Sequence, residues 1–282
     1  MIKLAENRYG KHRVRVVRVK RDRPVHSFEE WSVEVLLTGN FLDCFEAGDN
    51  ARIMATDSMK NTVYSLAKDT TATTIEGFAL ELTDYLVKTN PQIDSASANI
   101  TGVPWNHLTV DGASAPSAFI KEGSEVQTAS VHRARGTGPS VTAGLENLVI
   151  MKTANSGFEG FLRDVHTTLP ETADRLFGTA VQAQWTYAAD EIDFTAARKA
   201  TRDALLKAFA EHDSKSVQHT LYAMGKAALE STSAINAITL TMPNKHCLLV
   251  DLSKFGKTNH NEIFVPTEEP YGYIEATIRR ED

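Results

Sequence analysis

The chain is poor in cysteine, with only Cys44 and Cys247 among 282 residues. Neither belongs to a CxxC pair, which argues against a disulfide framework or a thiolate zinc site and fits a reducing cytosol. No apolar run approaches the ~20 residues that a membrane-spanning helix requires, so no membrane partner is expected. The opening MIKLAENRYGKHR has no apolar stretch ahead of a small-residue cleavage site, so no secretory signal is expected. Excess positive charge is also missing. The net charge of −6 gives the whole protein no electrostatic reason to bind nucleic acid. GxxxxGK[ST], HExxH and GxSxG are absent, leaving a P-loop site, a zincin helix and a hydrolase elbow without support. Gly136-Thr137-Gly138 opens like a dinucleotide loop, but the third glycine falls only at Gly144, with no strictly placed strand and helix around it.

What is present is ordinary globular composition, 42% hydrophobic and 23% charged, arranged in a pattern that occurs twice. In the first half, strand-like runs cover Arg13 to Lys20 and Trp31 to Leu37, the latter alternating Trp31, Val33, Val35 and Leu37. The first run lies in the basic stretch KHRVRVVRVKRDR, which reads as a strand with Val14, Val16, Val17 and Val19 apolar and solvated arginines between them. Two helical segments follow. DSMKNTVYSLAKD begins with capping-type Asp57 and Ser58, and TIEGFALELTDYLVKTNP stops at Asn90-Pro91. Strands return at Ser95 to Ile100 and His107 to Val110.

The second half repeats this order. Strand candidates lie at Leu145 to Lys152 and Ala180 to Tyr187. A long helix follows Asp193, and SVQHTLYAMGKAALES forms another with Val217, Leu221, Met224 and Ala228 in register. INAITLTM and HCLLVDL close the half. IDSASANITGVPWNHLTVD aligns with INAITLTMPNKHCLLVD, each giving strand, proline, asparagine, histidine, strand. Each half is therefore ββααββ, in the α+β class, with an antiparallel sheet and helices on one face. The glycine-rich stretch 136–144 divides the halves, with units expected at 1–138 and 139–282. The uncovered sheet face must meet water, a ligand cavity or another subunit.

Several polar islands interrupt this pattern: RYGK (8–11), ATDSMKNT (55–62), NSGFEGFLRDVHTTLPETADRL (155–176), SVQ (216–218) and PNKH (243–246). Each has a local explanation. Thr56-Asp57-Ser58 can cap a helix, and Arg175 can pair with Glu171 four residues back. Phe158 can be core, Gln218 can satisfy first-turn groups, and Asn244 and His246 can shape an Asx-type turn. His212 and His219, seven apart, read as surface histidines, with a metal pair as the sharper alternative.

Taken together, in this order and spacing, the islands resemble the urate oxidase (uricase) family over nearly the whole chain. The resemblance implies tandem tunnelling-fold (T-fold) units that close into an oligomeric barrel, two of which stack as a homotetramer with active sites at subunit interfaces. It implies oxidation of urate by O2 and water to 5-hydroxyisourate and hydrogen peroxide in purine degradation, with no metal and no organic cofactor. Carried over residue by residue, it makes Phe158 the stacking ring, Arg175 and Gln218 the groups that grip urate, and Lys11 with Thr56 the base-side pair. Asp57 contributes through its backbone, Asn244 and His246 form the oxygen-side amide and proton-relay imidazole, and Leu169 and Val217 line the pocket. Lys11, Thr56 and Asp57 would come from one subunit and the rest from its neighbour. Glu159 departs from relatives with an aromatic there, and the ending IRRED lacks the SKL-type peroxisomal signal, so a cytoplasmic enzyme is expected. Two rivals stay open: a metal-dependent T-fold enzyme acting on a pterin or another purine, and a non-catalytic ring protein binding nucleic acid through the basic stretch.

Overall fold

The computed structural model describes residues 2–121, 123–188 and 192–281. The chain forms two compact units that divide between Gly144 and Leu145.

In the first unit, β1 (Tyr9–Lys20), β2 (Ser27–Gly39), β3 (Ile93–Val103) and β6 (Val126–Ala134) pair in that order, all antiparallel. The short α1 (Leu42–Ala47) precedes two longer helices, α2 (Thr56–Asp69) and α3 (Ile75–Thr89). The alternation in β2 is decisive, because Trp31, Val33, Val35 and Leu37 are all buried, and they pack with Phe78, Leu82 and Leu86 of α3 in one core. Helix α3 starts where Thr74 accepts a hydrogen bond from the Gly77 amide (3.1 Å) and ends at Asn90. Residues alternating with the buried ones face away from the helices and form a polar row across the sheet. His12 pairs with Glu34 (2.5 Å), Glu34 accepts from Asn99 (2.8 Å), and Asn99 accepts from Ser130 (2.6 Å).

Three expectations need correction. The run His107 to Val110 is strand, but β4 (Asn106–Val110) pairs with β5 (Ala113–Ile120) in a separate two-stranded sheet. The fourth strand of the main sheet is β6, which carries few apolar residues and gives a weak periodic signal. The Asp57 and Ser58 side chains do not cap α2. Ala55 occupies the cap position with no side-chain hydrogen bond. Arg18 is not solvated. A bulge separates Lys11 from Val14, with Arg13 at φ 54°, and from Val14 onward strict alternation leaves Val17 exposed and puts Val14, Val16 and Arg18 on the buried face. Its guanidinium pairs with Glu29, donates to the Thr70 (3.3 Å) and Ala72 (2.8 Å) carbonyls, and lies over the Trp31 ring.

The second unit repeats this plan. The strand β7 (Ser140–Lys152) runs through the division between the units. It is followed by β8 (Phe177–Tyr187), α4 (Phe194–Glu211), α5 (Val217–Ser231), β9 (Ile235–Thr241), β10 (Asn244–Leu249), β11 (Phe264–Gly272) and β12 (Glu275–Arg279). Asp193 and Ser216 cap α4 and α5, accepting from the Ala196 and His219 amides. Val217, Leu221, Met224 and Ala228 of α5 are buried. The repeat extends beyond the aligned motifs. In each unit the strand after the proline pairs with a new neighbour (β4 with β5, β10 with β11), and a later strand returns to pair with the one before it (β6 with β3, β12 with β9). After each returning strand an arginine ties the second helix to the next strand. Arg135 donates to the carbonyls of Val87, Asn90 and Ile93, and Arg280 to those of Leu229, Thr232 and Ile235.

Candidate active site

A cleft of about 180 Å³ opens in the second unit, lined by Phe158, Leu169, Arg175, Val217, Gln218, Asn244, His246 and Ile274. Its size suits a small heterocycle rather than a drug-sized ligand, whose pockets run to roughly 300–1,000 Å³. The structure thus brings together seven residues singled out by the islands and adds Ile274. Ile274 lies between β11 and β12, a stretch without helix or strand periodicity, so no sequence signal pointed to it.

The lining is built by hydrogen bonds between three distant segments. Phe158 and Thr172 exchange backbone bonds of 2.8 and 3.2 Å, and the Arg175 amide donates to the Ser156 carbonyl (2.7 Å). The Gly157 amide donates to Ser214 and the Ser214 amide to Asn155, so the connection before α5 is held beside the same strip. Gly157 must lack a side chain, because a Cβ there would lie 2.9 Å from the Ala173 carbonyl oxygen. This clasp sets Phe158, Arg175 and the first turn of α5, with Val217 and Gln218, on one opening. The Phe158 ring is propped by Phe161, stacked parallel to it at 4.8 Å.

The electrostatics are unusual. The Arg175 guanidinium is half-buried, and desolvation by burial lowers its pKa from the ordinary arginine value. Its Nε is buried with no hydrogen-bond partner, and among the described residues it makes no ion pair. Glu171, the expected helical partner, instead faces Arg163 (3.7 Å) and accepts from the Gly160 amide (3.3 Å). The Oδ1 of Asn244, a residue only 8% exposed, is a second orphan on the same cleft. Buried polar atoms without partners cost about 1–3 kcal/mol each, so two converging on one cleft mark a place where a ligand completes the bonding.

The position of Asn244 follows from Pro243. Strand β8 pairs first with β9, through Gln182 and Thr241, and then with β10, through Thr179 and Asn244. Met242 and Pro243 lie between without strand pairing, and a bulge separates Asn244 from His246 on β10. Lys245 does not line the cleft. The first-unit counterpart, His107, is occupied differently, with Nδ1 2.8 Å from the Ala115 carbonyl and its ring against Phe119.

Lys11, Thr56 and Asp57 lie in the first unit and form a second cluster. Gly10 lets β1 approach β2 so closely that a Cβ would sit 1.8 Å from the Val35 carbonyl oxygen, which fixes the backbone beside Lys11. Tyr9 binds both the carbonyl (3.1 Å) and the amide (2.9 Å) of Met54, placing the start of α2 next to β1. Asp57 turns its carboxylate to Lys60 (2.5 Å) and Asn61 (3.0 Å). The hydrogen bond from Lys60, its charge, and more weakly the Asn61 bond and the Lys11 charge, hold the Asp57 pKa below the ordinary value. Its side chain is thereby turned forward along the helix, and no side chain at the Ala55 cap position accepts from the amides of the first turn. Elsewhere, His212 and His219 meet with nitrogens 3.1 Å apart, and no group of three or more metal-ligating side chains occurs among the described residues.

The tandem repeat of antiparallel strands and paired helices defines a class, α+β proteins with two sheet-and-helix units in one chain, and here a cation, amides and an aromatic ring line a small cleft. A uricase family model matches residues 7–132 and 141–275. A uricase of Arthrobacter globiformis is 42% identical over 278 residues, spanning 99% of this chain and 90% of that protein. One of Dictyostelium discoideum is 35% identical over 282 residues, spanning 99% and 98%. The crystal structure of uricase from Arthrobacter globiformis superposes with a TM-score of 0.94 at 40% identity, over 100% of this chain and 96% of that one. The chain belongs to the uricase family, the urate oxidases.

Proposed function

We propose that the chain oxidises urate with O2 and water to 5-hydroxyisourate and hydrogen peroxide without a metal or organic cofactor, using the cleft residues in defined roles. The observation that carries this reading is the half-buried Arg175, without an ion pair among the described residues, beside Phe158, its guanidinium carbon 5.7 Å from the ring centroid. A planar anion stacked on Phe158 meets the guanidinium fork edge-on and supplies the missing acceptors. Gln218, with one donor and one acceptor, reads the neighbouring amide edge, and Val217 and Leu169 close the apolar wall. Asn244 and His246 stand together on another wall. The Asn244 amide holds O2, peroxide or water above the ring, and His246 passes protons.

Urate must lose a proton before it can give electrons singly to triplet O2. Lys11 and Thr56 provide that path, and the Asp57 amide at the open end of α2 binds the urate rim. The cleft lining comes from the second unit alone, so we assign Lys11, Thr56 and Asp57 to the cleft of a second copy, across an interface in a homotetramer of closed T-fold barrels. The polar row on the uncovered sheet face of the first unit supports a wet barrel interior. The test is incubation with urate and O2 after exhaustive chelation, following loss of urate's ultraviolet band and release of peroxide. Turnover without added metal is expected. Activity lost on chelation and restored by zinc would favour a metal-dependent relative instead.

A further inference from the structure

The clasp beneath Phe158 and Arg175 contains one carboxylate to which the resemblance gave no role. Asp174 immediately precedes Arg175 and, among the described residues, makes no ion pair with it. Its Oδ1 accepts from the backbone amide of buried Ser156 (3.0 Å), and its own carbonyl accepts from the Thr172 hydroxyl (2.8 Å). Arg175 is left with no ion pair among the described residues, and burial is the sole cause of its lowered pKa.

We infer that Asp174 is a positioning residue for urate binding. By engaging Ser156 it fixes the Ser156 carbonyl that receives the Arg175 amide, and it keeps its own charge off the guanidinium. Both effects act on the substrate through Arg175 and Phe158. A charge-assisted acceptor for a buried amide is worth more than a neutral contact, and Ser156 is fully buried while Asp174 reaches it from an exposed position, so a water taking the place of the carboxylate would be a weaker, less fixed acceptor. The loop at Ser214 is tied to the same strip, so loosening it also displaces the first turn of α5.

The inference rests on the reading of the cleft as the urate site, and the experiment separates the two. Steady-state kinetics and affinity for a purine analogue that cannot be oxidised are measured for Arg175→Ala, Asp174→Ala, Asp174→Asn and Thr172→Val. Asp174→Ala is expected to raise KM and the analogue's Kd together by about 10-fold, with kcat within about 3-fold. Asp174→Asn, which retains an oxygen acceptor without charge, is expected to restore both to within about 2-fold. If Asp174→Ala does not fold, Thr172→Val, which removes only the hydroxyl bond to the Asp174 carbonyl, carries the test with an expected rise of about 3-fold. Wild-type KM and analogue affinity in Asp174→Ala, or in Thr172→Val where that variant must stand in, overturn the inference. So does an Asn variant as impaired as the Ala variant. An Arg175→Ala enzyme with unchanged KM and analogue affinity overturns instead the reading of the cleft.

Discussion

Replacing Arg175 tests the site most directly. In the wild-type protein the guanidinium has already lost much of its water and, among the described residues, has the Phe158 ring but no ion pair in exchange, with its buried Nε unbonded. A bound urate anion therefore gains two charge-assisted hydrogen bonds with little further desolvation cost, each worth about 1.5–3 kcal/mol. Truncation to alanine removes both bonds, and water entering the half-buried space recovers part of the loss, leaving about 3 kcal/mol. At 1.4 kcal/mol per tenfold, the analogue's Kd should rise about 100-fold. Lysine keeps the charge but not the planar fork, so Arg175→Lys should cost about 10-fold. KM from the ultraviolet assay and direct titration of the analogue both report the change. Wild-type values in Arg175→Ala would refute the argument, because Arg175 is the one guanidinium among the described residues that line the cleft. A fall in kcat with unchanged affinity would move Arg175 from binding to chemistry.

Further outcomes follow from other parts of the molecule. Lys11→Ala and Thr56→Ala should each lower kcat by orders of magnitude while binding the analogue nearly normally, and full turnover in either would remove that residue from the proton path. If the two clusters meet across copies, Lys11→Ala and Arg175→Ala chains refolded together, assayed at a urate concentration too low for Arg175→Ala alone to turn over, should regain activity at about a quarter of sites by random pairing, whereas sites completed within one chain would regain none. Arg18→Ala leaves Glu29 and two carbonyls facing a buried space and should destabilise the fold by about 3 kcal/mol, read from denaturant midpoints. The pKa of His212 is lowered from 6.5 by burial and by the His219 and Lys152 charges, against an opposing Asp213. The unfolded chain then binds more protons just below that pH, so stability falls as pH drops through about 6.5. His212→Gln should flatten the dependence of Tm on pH between about 7 and 5, and an unchanged slope would show that other groups set it.

The amino-acid order by itself determined those features that repeat over a few residues. Alternation in β2 and the apolar faces of α3 and α5 were legible because side-chain direction follows local geometry. So were the helix starts at Thr74, Asp193 and Ser216, where one oxygen meets an amide three residues on. The internal repeat and the polar islands could also be read directly, since spacing survives in the chain. Only the tertiary structure decided the rest. β6 and β12 join the sheets through partners tens of residues away, and their own sequences carry little periodicity. Arg18 takes the buried face that alternation from Val14 and Val16 assigns to position 18, and only the carbonyls of Thr70 and Ala72, far along the chain, make that place tenable for a guanidinium. Ser156, Asp174 and Ser214 matter because their hydrogen bonds cross between segments, and the isolation of the Arg175 guanidinium became visible only once every neighbouring carboxylate had been placed. Local chemistry chose the side chains, and non-local pairing decided which of them were left without partners and so open to a ligand.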